Sequence, residues 1–369
     1  MNEEIRIVIS GGGTGGHIFP AVSIANAIKQ LHPEAKLLFV GALGRMEMQR
    51  VPAAGYEIVG LPVRGLIRPL WSPKNISVLI DFLKSKRMVR KVLREFRPQV
   101  AVGVGGYASA ATLDAAAAMG IPCLIQEQNS YAGVTNKHLA GHASRICVAY
   151  DHMDRFFPAE KLLKTGNPVR QNLLTTTLTP EEAREQLGLA PNKRTILIVG
   201  GSLGARTLNE SVMQHLDTLL ASDVQVLRQT GKYYYDELSE RLASRGEHPA
   251  LVVTPFIADM GAAYRAAHLV VSRAGAGSIS EFCLIGKPVI LVPSPNVAED
   301  HQTKNAMALV DCEAALYMKD AEAPEQLMPL ALKTVADDAL LKRLSDNILR
   351  LALPDAATVI AQEVLKLRR

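Results

Sequence analysis

The stretch IRIVISGGGTGGHIFPAVSIANAI, Ile5 to Ile28, decides how the rest of the chain is read. An apolar, β-branched run passes through a glycine-rich turn straight into a helical pattern. The same order returns at TILIVGGSLGARTLNESV, Thr195 to Val212. Between and after these stretches, further short runs alternate with helical segments: KLLFVG, VAVGVG, PCLIQE and RICVAY in the first half, VQVLRQT, ALVVTPF, LVVS and PVILVP in the second. Strands of this length separated by helices imply βα units around parallel sheets buried on both faces. The fold class is therefore α/β, as two Rossmann-like halves. If the halves face each other, a cleft lies between the carboxyl ends of their sheets, where doubly wound folds bind ligands.

A chain of 369 residues exceeds what one hydrophobic core usually supports, which also argues for two domains. Around Gly166, KTGNPVRQNLL breaks the pattern with Gly, Asn and Pro, and TTTLTPEEAREQLGL reads as a polar loop entering a capped helix. The boundary is placed there, giving domains 1–166 and 167–352. At 48% hydrophobic and 21% charged the composition is that of a globular protein, and a net charge of +5 is too small to argue a nucleic-acid partner. MNEEIRIVIS lacks the basic and apolar regions of a secretory signal, and no run reaches the roughly 18 to 20 apolar residues of a membrane span. Cys123, Cys147, Cys283 and Cys312 form no C-x-x-C pair and are expected to be buried thiols in a reducing compartment.

Gly11, Gly13 and Gly16 have the G-x-G-x-x-G spacing of a dinucleotide turn. That reading also needs an acidic residue at the end of the second strand to hold the ribose diol. KLLFVGALG supplies none, so a nicotinamide or flavin oxidoreductase is disfavoured. A Walker loop is absent, because Gly286-Lys287 is followed by Pro288. No D-x-D pair occurs, so no cofactor is required and no divalent cation is implied. A bound diphosphate then needs helix ends and basic side chains to neutralise it. The turn Gly200–Ala205, with the Ser202 hydroxyl, is the better phosphate cradle. In SRAGAGSISE, Glu281 is placed either to accept from a ribose diol or to act as a capping-box partner of Ser278.

Taken together, GGGTGGHIFPA, VGVGGYAS, QEQNSYAGVTNK, TGNPVR, VGGSLGAR, SRAGAGSISE and EDHQTKNA, in this order along the chain, resemble the MurG family of UDP-N-acetylglucosamine transferases. These enzymes act on undecaprenyl-pyrophosphoryl-N-acetylmuramyl-pentapeptide in bacterial cell-wall synthesis. The resemblance implies the GT-B glycosyltransferase fold, an inverting transfer of GlcNAc to the C4 hydroxyl of MurNAc in lipid I to give lipid II, and a terminal helix within 353–369 packed back on the N-terminal domain. It further implies that the donor is held mainly by the second domain, with the Ile257 backbone at the uracil edge, Glu281 at the ribose, and Ser202 with Arg170 at the phosphates. Ala276 and Gln302 would hold the sugar hydroxyls, Gly277, Ser278, Ile279 and Ser280 of the same loop would contact UDP-GlcNAc, and Thr14, Gly15, Gly16 and Asn129 would close the cleft from the first domain. Some members of that family carry two adjacent glutamines where this chain has His301 and Gln302, which makes Gln302 the carry-over and leaves His301 open.

Inverting transfer needs a base for the acceptor hydroxyl and stabilisation of the departing diphosphate. His17, at a helix start whose positive potential favours the neutral ring, is one candidate base. Glu127 is the other, with a role bracing the QEQNS loop as its bland alternative. His138 and His142 are four apart and could share a helix face, but no third ligand accompanies them.

From Arg64 to Arg97 ten basic residues stand against Asp81 and Glu95, a local balance of +8. Trp71, Ile76, Leu79 and Ile80 are interleaved with Arg87, Arg90, Lys91 and Arg94, a composition suited to an anionic membrane surface. A core-facing helix with a solvated basic face, or a nucleic-acid stripe, are the alternatives. The partners implied are UDP-GlcNAc, the lipid-linked acceptor, that membrane surface at the cytoplasmic face, and other cell-wall synthesis proteins. Two further readings stay open: another GT-B transferase with a different sugar nucleotide or acceptor, and a non-catalytic UDP-sugar or lipid-binding module.

Overall fold

The computed structural model describes residues 4–65, 71–169, 173, 176–201, 203–244, 246 and 248–368. It divides into two compact units, Met1–Val169 with Leu353–Arg369, and Arg170–Ala352.

In unit 1 the chain runs through β1 (Arg6–Ser10), α1 (Gly15–Leu31), β2 (Lys36–Ala42), α2 (Glu47–Ala53), β3 (Glu57–Leu61), α3 (Lys74–Phe96), β4 (Val100–Gly103), α4 (Tyr107–Ala118), β5 (Cys123–Glu127), α5 (Val134–Leu139), β6 (Arg145–Val148) and β7 (Leu162–Lys164). Unit 2 continues with α6 (Pro180–Gln186), β8 (Arg194–Val199), α7 (Arg206–Gln214), α8 (Leu216–Leu220), β9 (Val224–Gln229), α9 (Lys232–Ala243), β10 (Leu251–Thr254), α10 (Met260–Ala266), β11 (Leu269–Ser272), α11 (Ala276–Ile285), β12 (Val289–Leu291), α12 (His301–Val310), β13 (Leu316–Tyr317), α13 (Ala323–Val335) and α14 (Asp338–Leu349). The last helix, α15 (Ala356–Lys366), returns to unit 1.

Among the described residues every strand pairing is parallel, in the order β3-β2-β1-β4-β5-β6-β7 in unit 1 and β10-β9-β8-β11-β12-β13 in unit 2. Both orders reverse beside the first strand, between β1 and β4 and between β8 and β11. That is where loops at the carboxyl ends diverge and leave room for a ligand. The central strands are buried on both faces, as Ile7, Val8 and Ile9 illustrate, which is why they read as continuous apolar runs. β3, β7 and β13 are absent from the runs read in the sequence; each is an edge strand, and β7 and β13 are only three and two residues long.

α15 packs on unit 1 through Ala357, Ile360, Ala361 and Val364, the i, i+3, i+4, i+7 stripe of an amphipathic helix, against the cluster that holds Ile24 and Ile28 of α1. Its Glu363 pairs with Arg145 of β6 at 3.1 Å. The capped helix read after the boundary is α6: Thr179 accepts from Glu182 N–H at 3.2 Å, Glu182 accepts from Thr179 N–H at 2.8 Å, and Pro180 occupies the first turn. Cys123, Cys147 and Cys283 are buried, but Cys312 is exposed. It sits in the turn after α12, outside the core where burial was expected.

Candidate active site

In unit 1 the turn after β1 meets the turn after β4. Val104 N–H donates to the Ser10 carbonyl at 2.9 Å, and Gly105 and Gly106 both adopt positive φ. These glycines are required by proximity as well as by conformation. A Cβ at Gly106 would lie 2.7 Å from the Gly12 carbonyl, and one at Gly105 would lie 2.8 Å from His17 Nε2. His17 itself is half-buried in the first turn of α1, and its Nδ1 lies 2.9 Å from the Gly12 carbonyl oxygen. Thr14 is the N-cap residue, and Gly15 and Gly16 begin the helix, so all four residues share one turn.

The turn is held from below by Glu47, a residue the sequence reading passed over. Fully buried, it accepts from the N–H groups of Gly13 and Ala42, both at 3.0 Å, and so ties the glycine turn to the end of β2. Gly12 and Gly41 leave space for its side chain.

Glu127 ends β5 and is 1% exposed. Its Oε1 accepts from Asn129 N–H at 3.0 Å and Asn129 Nδ2 at 3.2 Å; its Oε2 accepts from Gly133 N–H at 3.0 Å and Asn136 Nδ2 at 2.9 Å. Both carboxylate oxygens are therefore committed to shaping the loop that carries Asn129. Beneath it, Gln126, Gln128 and Asn167 form a buried network. Gln126 donates to Asn167 Oδ1 at 2.9 Å, Asn167 to the Gln128 carbonyl at 3.0 Å, and Gln128 to the Val104 carbonyl at 2.9 Å. The loop after β5 is thus joined to the turn that faces His17.

In unit 2 the glycine turn after β8 closes on the end of β9. Gly204 and Gly231 both have positive φ, and a Cβ at Gly204 would collide with the Thr230 carbonyl. Ser202 and Arg170, read as phosphate contacts, lie outside the described residues. Gln229, at the end of β9, joins two regions of the candidate donor site: its Oε1 accepts from Ile257 N–H at 2.9 Å and its Nε2 donates to the Gly201 carbonyl at 3.1 Å. The Ile257 N–H is therefore already engaged within the protein.

The neighbouring residue on β9, Arg228, is fully buried and has no carboxylate partner among the described residues. It donates to Asn209 Oδ1 at 2.8 Å and to the carbonyl of Ala205, the N-cap residue of α7, at 3.4 Å, while its Nη1 has no partner. Burial, and secondly the charge of Arg273, pulls its pKa down to about 9. At that value it remains a cation near neutrality, set beneath the helix end that follows the glycine turn.

The loop after β11 enters α11 with Gly275 as N-cap residue. Ser278 is therefore inside the helix, and the capping-box reading of Glu281 does not hold. Glu281 is buried, and its Oε2 accepts from the Tyr264 hydroxyl at 2.9 Å; Tyr264 stands edge-on to Phe282 at 5.6 Å. Ala276, Gly277 and Ser278 form the first turn, Ser280 donates its hydroxyl back to the Ala276 carbonyl at 3.0 Å, and the Ile279 side chain belongs to the core. Gln302, in the first turn of α12, accepts from Ser294 N–H at 2.9 Å; its Nε2 has no partner among the described residues. Arg273 donates to the carbonyls of Val292 at 3.0 Å and Pro293 at 3.2 Å and pairs with Asp320, which also accepts from Thr207 of α7 at 3.0 Å.

The basic segment is mostly α3. Trp71, 86% exposed, precedes it, and Ile76, Leu79, Ile80 and Leu83 are exposed along its first turns. Arg87, Arg90, Lys91 and Arg94, also exposed, continue on the same face toward its end, because 100° per residue keeps all eight within one stripe. Val78, Val89 and Leu93 form the buried side of the helix. Leu66, Ile67, Arg68 and Leu70 lie outside the described residues. No described helix is long and apolar enough to cross a membrane. His138 and His142 do not share a helix, since α5 ends at Leu139, and His138 faces Asp114 at 3.3 Å.

Comparison with known proteins agrees with this arrangement. The glycosyltransferase family 28 N-terminal domain matches residues 7–148, and the family 28 C-terminal domain matches residues 195–360. The chain is 64% identical over its full length to a UDP-N-acetylglucosamine--N-acetylmuramyl-(pentapeptide) pyrophosphoryl-undecaprenol N-acetylglucosamine transferase of Bacteroides thetaiotaomicron, covering 99% of that protein. Its counterpart of the same name in Porphyromonas gingivalis is 52% identical, with 99% of this chain and 96% of the relative covered. The crystal structure of Acinetobacter baumannii MurG superposes with a TM-score of 0.76 at 28% identity, over 98% of this chain and 99% of that one. With two Rossmann-like parallel sheets, glycine turns at both switch points and relatives of this closeness, the chain belongs to the MurG family of family 28 glycosyltransferases, which have the GT-B fold.

Proposed function

We propose that the chain transfers GlcNAc, with inversion, from UDP-GlcNAc to the C4 hydroxyl of MurNAc in undecaprenyl-pyrophosphoryl-MurNAc-pentapeptide, giving lipid II for peptidoglycan synthesis. The observation that carries the catalytic part is the 2.9 Å contact of His17 Nδ1 with the Gly12 carbonyl. A carbonyl oxygen only accepts, so Nδ1 bears the proton, and the neutral ring keeps a lone pair on Nε2. A side chain at position 105 would press on that nitrogen, with its Cβ 2.8 Å away, and glycine avoids this. His17 Nε2 takes the proton of the acceptor hydroxyl as its oxygen bonds to the anomeric carbon, and the bond from that carbon to UDP breaks on the opposite side. Glu127, with both oxygens engaged by four donors, positions Asn129 rather than taking the proton.

Unit 2 holds the donor. Glu281, oriented by Tyr264, accepts from the ribose hydroxyls. The Ile257 carbonyl accepts from the uracil ring N–H, while its own N–H is held by Gln229 Oε1. Gln302 Nε2 and the first turn of α11, from Ala276 to Ser278, meet the sugar hydroxyls. The departing diphosphate is neutralised by backbone N–H groups of the Gly200–Ala205 turn, Ser202, Arg170 and the buried charge of Arg228, without a divalent metal. α3 rests on the cytoplasmic face of the membrane. Ile76, Leu79, Ile80 and Leu83 enter the interface together with Trp71, and the basic half of the stripe meets anionic headgroups.

The test is formation of the disaccharide from radiolabelled UDP-GlcNAc and lipid-linked muramyl-pentapeptide in the presence of EDTA. No product, or equal product from UDP-glucose, would overturn the assignment. Neutralising Arg87, Arg90, Lys91 and Arg94 together should reduce binding to anionic vesicles while leaving transfer to a soluble acceptor analogue intact; unchanged vesicle binding places the anchor elsewhere.

A further inference from the structure

Unit 2 contains a basic cavity that none of the loops above uses. It lies beside the residues that lead into β11 and β12, at the amino ends of the strands and therefore across the sheet from the carboxyl-end loops. Its volume is about 400 Å³. Arg184, Arg265, His268, Lys287, Lys342 and Ser345 are among its lining residues; two of these cations already have a carboxylate outside the lining, Arg184 with Glu181 at 3.4 Å and Lys342 with Asp346 at 2.5 Å.

His268 presents a donor to it. Its Nδ1 accepts from Thr195 N–H at 3.0 Å and so carries no proton. Burial, followed by the charges of Arg184, Lys287 and Arg194, pulls its pKa down to about 4, so the ring is neutral near pH 7 and its proton sits on Nε2. Nε2–H then faces Nη2 of Arg184, 3.3 Å away, a donor opposite a donor. Arg184 is 5% exposed. Its Nε donates to the Ala266 carbonyl at 3.1 Å, and its Nη1 serves the Pro191 carbonyl and, at 3.4 Å, Glu181; Nη2 has no acceptor among the described residues.

Closing the carboxyl end of α10 explains part of this charge, since Arg184 and Lys287 donate to the Ala266 and Ala267 carbonyls. It does not explain why a buried donor, Arg184 Nη2, and a half-buried one, His268 Nε2–H, are directed at one another. A tetrahedral oxyanion, with several acceptor oxygens, meets both at once and neutralises the surrounding cations. The cavity also has room for a small organic group attached to it.

We propose that this cavity binds a phosphate group, as inorganic phosphate or a small phosphate ester, between Arg184 Nη2 and His268 Nε2–H, with Lys287 and Lys342 supplying further charge. The full chain, ¹⁵N-labelled at histidine and saturated with UDP so that the donor turn is occupied, is titrated with inorganic phosphate and separately with glycerol 3-phosphate. His268 is expected to carry its proton on Nε2 and to shift saturably with at least one of the two. A stronger response to the ester identifies an ester ligand, and an equal response identifies phosphate itself. Arg184→Gln is expected to weaken binding at least tenfold. Lys342→Gln, at a side chain 75% exposed and so safe for folding, is expected to weaken it severalfold. A His268 proton on Nδ1, no saturable shift with either probe at millimolar concentrations, or unchanged binding by Lys342→Gln overturns the proposal. Because UDP is already bound, failure here leaves the transferase reading untouched.

Discussion

Glu127→Gln separates a brace from a base. In the native loop the carboxylate accepts four hydrogen bonds, two on each oxygen. An amide can be placed either way round, and in both orientations its NH₂ faces two donors that previously had an acceptor. A hydrogen bond to a charged group contributes roughly 1.5–3 kcal/mol, and a buried unsatisfied donor costs a similar amount. Because the two bonds share one acceptor they do not add in full, and a loss of about 3 kcal/mol follows. For a unit of 150–250 residues, roughly 2–4 °C of Tm is lost per kcal/mol, so the unit 1 transition should fall by about 6–12 °C. Differential scanning calorimetry reads this shift, and hydrogen exchange should show the amides of Asn129 and Gly133 losing protection together. Below the transition, the variant should retain measurable transfer. An unchanged Tm with transfer reduced on the order of a thousandfold would refute this reasoning and make Glu127 the base.

Two other outcomes follow from single observations. Arg228→Met removes the buried cation beneath the α7 helix end and should weaken binding of UDP about tenfold while leaving uridine within about twofold, measured by calorimetry; equal losses for both would make Arg228 a packing residue. Burial pushes the thiols of Cys123, Cys147 and Cys283 up to about 12, so the thiolate fraction at pH 7 is on the order of 10⁻⁵, and only exposed Cys312 should react quickly with a maleimide. Fast modification of a second thiol in the native protein would contradict that assignment.

What could be read from sequence was local. β1 and β8 with their glycine turns are continuous in the chain and need no distant partner to be recognised. β3, β7 and β13 are hard to read because each is a half-buried edge strand, two of them only three and two residues long, without the apolar run of a central strand; β10, also at an edge, is legible from its Leu-Val-Val run. Glu47 is invisible for a different reason: its value lies in reaching Gly13 and Ala42 at once, and nothing in the residues around it marks that reach. Gln229 and Arg228 sit inside a strand pattern, where a polar residue ordinarily points to solvent. The choice between a capping partner and a ligand contact for Glu281 depended on one backbone detail, Gly275 rather than Ser278 as N-cap residue.

The central claim is that His17 Nε2 receives the acceptor proton. Its most direct test is turnover of His17→Ala at saturating UDP-GlcNAc and lipid-linked acceptor, with UDP affinity measured on the same preparation. Loss of a general base predicts that kcat falls about 10²- to 10⁴-fold while UDP affinity stays within about twofold. Turnover within about threefold of the unsubstituted enzyme, or a loss confined to donor affinity, would contradict it.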